Sequence, residues 1–159
     1  MAALTPPFFD TSVLVAGLIE TGEASEFPQR IMTAIASGQV RRAATAWHCC
    51  LEFYSVATRL PEEFRVAPED ALQLIEEEVL ARLEVRQLPE EARQFFLRAL
   101  AQDRVVGGRV YDAHIAEIAR LSGARTVVTD NRRHFAALAR HGIRVLSAEE
   151  FARSSHLAR

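Results

Sequence analysis

The sequence predicts an α/β chain: a three-layer α/β/α sandwich around a central parallel sheet of four or five strands. Three observations carry this. At Gly38, Gly123 and Gly142 a helical pattern ends in Gly and a strand-like run follows within three residues. Strands and helices alternate along the whole chain, which implies crossover connections, parallel strands and helices on both faces. The run FFDTSVLV (8–15) is apolar but carries one carboxylate, Asp10, followed by two hydroxyls, Thr11 and Ser12.

The elements follow in order. Residues 1–7 read as a short tail ending in Pro6 and Pro7, so the 159 residues form one domain. The first strand starts at 8–10 and gives way to a short helix within 11–20. Ser25 is placed to cap a helix through Ser37, with Phe27, Ile31, Ala34 and Ile35 on one face. A short strand follows at 40–44, then a helix from about Ala46 to Leu60. Pro68, Glu69 and Asp70 open the next helix, since Pro suits a first turn and acids suit its dipole. Its core stripe is Leu72, Ile75, Val79 and Leu83. A strand at 84–88 precedes a second Pro-Glu-Glu opening at Pro89, with Ala92, Phe95, Phe96, Ala99 and Leu100 as the next stripe. Gly107 and Gly108 mark a loop before a helix bearing Tyr111, Ile115 and Ile118 on one face. The strand RTVVT (125–129), a helix at 131–141, a strand at 143–146 and a capping box of Ser147 with Glu150 complete the chain.

Composition narrows the function. The hydrophobic content of 49% and charged content of 25% suit a soluble globular chain, and no apolar run is long enough for a bilayer. The N-terminal residues lack the basic-then-apolar order of a secretory signal, so a cytoplasmic location is expected. Adjacent Cys49 and Cys50 are poorly placed to bridge each other and read as reduced thiols. A net charge of −2 excludes nucleic-acid binding by bulk electrostatics, so any such binding needs a local patch. All 19 basic residues are Arg, which excludes chemistry that requires a lysine.

Four acids stand apart from the solvated ones. Asp10 falls at the end of the first strand and Asp130 directly after RTVVT, the ends that line the ligand crevice of an open α/β sheet. Each alone could be a helix cap. Glu52, in WHCCLEFYSVATRL, has Cys49, His48, Ser55 and Val56 at helical spacing, and Asp112, in RVYDAHIAEIA, has Ile115 and Ala116. Each alone could be a border Glu or a first-turn Asp. Four converging carboxylates would repel one another and raise their own pKa values. A divalent ion removes the conflict, and oxygen ligands suit Mg²⁺ or Mn²⁺ rather than zinc.

FFDTSVLV, Glu52 in a helix with Arg59 and Leu60 after it, YDAHIAEIA and VVTDNRRHF resemble the PIN domain in order and spacing over nearly the whole chain. They are especially similar to the stand-alone bacterial PIN proteins that act as VapC-type toxins. The resemblance implies Mg²⁺- or Mn²⁺-dependent cleavage of RNA to 5′-phosphate and 3′-hydroxyl ends, with Asp10, Glu52, Asp112 and Asp130 in the acidic roles. Ser12 or Thr11 would support a metal water. The family's fourth acidic position shifts by one residue relative to the preceding Thr, so Asp130 and Asn131 are both candidates. The resemblance also implies a small antitoxin partner, whose tail covers the groove, and a homodimer. The helix stripes of 27–35 and 72–83 could pack against a partner or be core.

RNA binding beside an acidic centre needs a cationic rim: Arg132 and Arg133 are nearest, with Arg109 and the pair Arg41 and Arg42 further off. His48 and His134 read as structural, and Trp47, Phe95 and Phe96 as core more than base-stacking. Dehalogenase-type phosphatases and phospho-receiver domains are set aside because both need a late lysine, and no P-loop or GxSxG elbow is present. Two alternatives remain: a catalytically silent PIN-like binding module, and an RNA-processing PIN nuclease without an antitoxin.

Overall fold

Phe8 and Phe9 are completely buried because they form the central strand of a five-stranded parallel sheet. The computed structural model describes residues 5–157; residues 1–4, most of the expected tail, lie outside them. Strands β1 (Phe8–Phe9), β2 (Ala44–Ala46), β3 (Glu84–Arg86), β4 (Thr126–Val128) and β5 (Arg144–Leu146) stand in the order β3-β2-β1-β4-β5. Phe8 faces Ala44 on one side and Val127 on the other. The chain therefore winds outward from β1 in one direction, then returns and winds in the other. The reversal between β1 and β4 leaves a crevice at their carboxyl ends.

The helices are α1 (Thr11–Leu18), α2 (Glu26–Ala36), α3 (Trp47–Ala57), α4 (Pro68–Leu74), α5 (Arg93–Gln102), α6 (Arg109–Leu121), α7 (Arg132–Phe135) and α8 (Ala148–Ser154). Helix α2 packs between α1 and α8, whereas α6 packs against α5, α7 and β2. The three-layer α/β/α sandwich is thus formed, with α8 held by the expected box: the Ser147 hydroxyl accepts the Glu150 N–H at 3.1 Å and Glu150 Oε2 accepts the Ser147 N–H at 2.9 Å. None of the helices in the described residues is long and apolar enough to cross a membrane.

Several boundaries differ from the sequence reading for local reasons. The second strand lies at Ala44–Ala46 rather than 40–44, because the Val40 N–H closes α2 on the Ala34 carbonyl at 3.0 Å. Ser25 precedes α2 without capping it, since its hydroxyl accepts the Thr21 N–H instead. Leu72 is 51% exposed. Helix α4 widens into a π-turn over Ile75–Leu80, and Ala71, Ile75, Val79 and Leu83 take the core instead. Tyr111 also faces outward, and Ala119 joins Ile115 and Ile118 inside. The 131–141 segment is α7 followed by a 3₁₀ stretch, Ala136–His141, ended by Gly142 at φ 73°.

Helices α1 and α2 approach closely at Gly17, where an added Cβ would lie 2.5 Å from Met32 Cγ and 2.8 Å from the Pro28 carbonyl oxygen. The Met side chain can yield, but the backbone oxygen cannot. Gly17→Ala is expected to lower unfolding free energy by about 1–3 kcal/mol in chemical denaturation; an unchanged midpoint would contradict this contact.

Candidate functional site

The site begins where β1 stops. The Asp10 N–H donates to the Val128 carbonyl at 3.0 Å, carrying the β1–β4 pairing one residue further. Asp10 occupies the N-cap position of α1, but its side chain makes no capping bond. Oδ2 instead accepts hydrogen bonds from Thr129 Oγ1 at 2.7 Å and Ser12 Oγ at 3.0 Å. The carboxyl is 2% exposed. Burial pushes its pKa up to about 6; the Thr129 and Ser12 hydroxyls pull the other way without cancelling it, and the nearby Glu52 charge adds to the rise. Neutral hydroxyls and a retained proton thus hold a group that a cation would hold more strongly.

The same hydroxyls fix the neighbouring loop. Ser12 Oγ accepts the Asp130 N–H at 3.1 Å, and Thr129 Oγ1 accepts the Asn131 N–H at 3.0 Å. Each hydroxyl donates to Asp10 and accepts from the backbone after β4. Asp130 and Asn131 are therefore placed at the lip of the Asp10 site with exposed side chains. Asn131 stands at the N-cap of α7, again without a side-chain capping bond.

Glu52, half-buried on α3, faces His48 one turn earlier, with His48 Nε2 at 3.4 Å. This contact chiefly holds the Glu52 carboxyl below its usual range, against the opposing effect of burial. His48 Nδ1 lies 3.0 Å from His114 Nδ1, which joins α3 to α6. The buried Thr11 hydroxyl lies beside the Glu52 carboxyl and also helps to hold its pKa down. Asp112 on α6 meets His134 of α7, with Oδ2 and Nδ1 2.7 Å apart. The structure thus draws Asp10, Ser12, Thr129 and the Asp130–Asn131 backbone into one bonded unit, places Glu52 within electrostatic reach of Asp10, and ties Asp112 to the segment following Asp130.

Of the cations, Arg132 gives both hydrogen bonds of Nη1, each 2.9 Å, to Glu150. Arg109 and Arg133 are exposed. Thr129 was missed as a site residue; its signal was a hydroxyl closing a buried strand just before an acid. His48 and His134, which read as structural, contact two of the four candidate acids. Phe95 was read as core but is 71% exposed.

Among the described residues, no three His, Cys, Asp or Glu side chains stand close enough together to hold a metal ion between them. Mg²⁺ does not require such a cage, since it keeps several waters and takes one or two carboxylates plus substrate phosphate. The donor chemistry fits it: a buried carboxyl at Asp10 with a buried hydroxyl at Thr11 next to it in the chain, the Glu52 charge within electrostatic reach, and further carboxylates on Asp112 and Asp130.

Fold and site together define a class: a parallel α/β sandwich with an acid–hydroxyl centre at its topological switch point. The profile of the PIN domain family matches residues 8–133, and the chain belongs to that family. It is 36% identical to Ribonuclease VapC27 of Mycobacterium tuberculosis (strain ATCC 25618 / H37Rv) over 130 residues, 81% of this chain and 88% of that protein. It is 31% identical to Ribonuclease VapC40 of the same species over 123 residues, 77% and 85% of the two chains. The solved structure of VapBC-1 from nontypeable Haemophilus influenzae shares the fold, with a TM-score of 0.57 at 17% identity over 89% of this chain and 97% of that one.

The raised Asp10 pKa gives stability a pH dependence. The folded chain binds this proton more tightly than the unfolded chain, whose carboxyl titrates near the ordinary 3.8. The contribution is complete below that value and is lost as pH rises through about 6, on the order of 3 kcal/mol. In EDTA, wild type should lose stability relative to Asp10→Asn between about pH 4 and pH 7 in denaturation curves. Parallel curves would contradict the burial account.

Proposed function

We propose that this chain is an Mg²⁺- or Mn²⁺-dependent endoribonuclease and the toxin of a toxin–antitoxin pair. The observation that carries the reading is the buried Asp10 carboxyl at the switch point, held by neutral hydrogen-bond donors. Asp10 would hold the cation, with Asp112, Glu52 and Asp130 as further acidic partners and Asn131 as a neutral one. When bound, the cation supplies positive charge for the scissile phosphate and lowers the pKa of water. The chain's own residues do the rest. Thr129 and Ser12 fix the orientation of Asp10, and Thr11 offers a further oxygen. His134 holds Asp112 and His48 holds Glu52. The exposed Arg109 and Arg133 would contact RNA phosphates, while Arg132 shares its charge with Glu150. Preference for RNA then comes from fit, since no ribose hydroxyl need act as nucleophile.

The ribonuclease names of the relatives VapC27 and VapC40 support the activity. The VapBC-1 pairing, and the solved structure of FitAB bound to an IR36 DNA fragment, support a protein antitoxin as partner. We include a homodimer and a cytoplasmic location in the same reading. Incubating pooled RNA with the protein should give cleavage with Mg²⁺ or Mn²⁺ and none in EDTA. Asp10→Asn should cut the rate at least ~100-fold, about 2.7 kcal/mol. Thr129→Val should cost about tenfold by loosening Asp10 without removing it. Cleavage in EDTA, or full activity of Asp10→Asn, would overturn the proposal.

A further inference from the structure

Leu100 is the one buried residue of helix α5, although its sequence carries a full apolar stripe. Phe95 stands out from it with most of its ring in solvent, and Phe96 packs partly inward against His114, with ring centroids 5.5 Å apart. Between α5, α6 and the 134–141 segment lies a cavity of about 540 Å³. Its walls are mainly apolar, and Phe95 and Phe96 lie on one side. Arg109, Asp112 and His134 also line it. Asp112 and His134 are a bonded pair, so the cavity reaches one of the four candidate acids.

Because Asp112 lines it, we infer that the cavity is a base-recognition subsite for one unpaired nucleotide next to the scissile phosphate. Phe95 is its stacking platform and Arg109 its phosphate contact. The inference rests on the ribonuclease reading above. A strand laid with a phosphate beside Asp112 carries its neighbouring nucleotide over the cavity. A nucleobase has the chemistry to enter: flat apolar faces to lie on an aromatic ring, and a polar edge to meet Arg109 or the Asp112–His134 pair. The volume lies within the range of small-molecule sites. A duplex cannot use the cavity, because its bases are stacked inside the helix.

The test compares wild type, Phe95→Ala and Phe95→Trp by fluorescence anisotropy in EDTA. The probes are a labelled single-stranded octaribonucleotide, the same strand with abasic residues, and an RNA duplex. Phe95 is exposed, so its truncation leaves the core intact. Phe95→Ala should weaken single-strand binding about tenfold, the scale of one lost base stack, and Phe95→Trp should restore it. Abasic strand and duplex should bind all three proteins alike. Equal single-strand binding by wild type and Phe95→Ala, in a protein that still cleaves RNA, would overturn the subsite and leave the ribonuclease reading standing. A wild type that neither binds nor cleaves RNA would overturn both. A change in sedimentation mass on Phe95→Ala, with unchanged RNA affinity, would assign the cavity to a second copy of the chain and overturn the subsite.

Discussion

The arrangement depends on one constraint: a carboxyl group buried at the end of the central strand with no positive charge beside it. Parallel strands β2 and β4 flank β1, and α1 begins immediately after it, so Asp10 is almost entirely buried at the mouth of the crevice. Two hydroxyls satisfy part of its hydrogen-bonding capacity. Neither offers a full charge, and the group keeps its proton well above the usual pH. Burial of this kind is costly in stability, and such costs concentrate at functional sites.

The hydroxyls make the constraint structural as well as electrostatic. Ser12 and Thr129 each serve as donor to Asp10 and acceptor for a backbone N–H after β4. The loop bearing Asp130 and Asn131 is thereby referenced to Asp10 rather than to solvent. From there α7 carries His134 to Asp112, so helix α6 is tied into the same unit. Glu52 is referenced differently, through His48 and His114 across α3 and α6. Glu52 and Asp112 therefore each contact a histidine, whereas Asp10 is held by hydroxyls.

Much of this was legible in the sequence. The Gly-terminated helices and their following strands gave the parallel sandwich, because a left-handed turn after a helix is a local feature that Gly signals directly. The acids of FFDTSVLV and VVTDNRRHF fell at strand ends for the same local reason. Less legible were features set by packing. Ala44–Ala46 forms a strand although alanine carries little strand signal. The π-turn at Ile75–Leu80 rotates Leu72 outward, and periodicity in an ideal helix could not foresee it. Tyr111 and Phe95 look like core by spacing but face outward, because the stripe of a helix reports which residues are apolar and not which of them a neighbour covers. The roles of Thr129, His48 and His134 depend on partners 119, 4 and 22 residues away, and only the first and last of those separations required the fold.

The account is tested most directly by isothermal titration of Mn²⁺ into the metal-free protein near pH 6, repeated in buffers of different ionisation enthalpy. A cation that replaces the retained proton on Asp10 should bind with release of about half a proton, since the group is half-titrated there. Asp10→Asn should bind far more weakly and release none. Absence of Mn²⁺ binding, or equal affinity and proton release in the variant, would show that the buried carboxyl is not the cation's anchor.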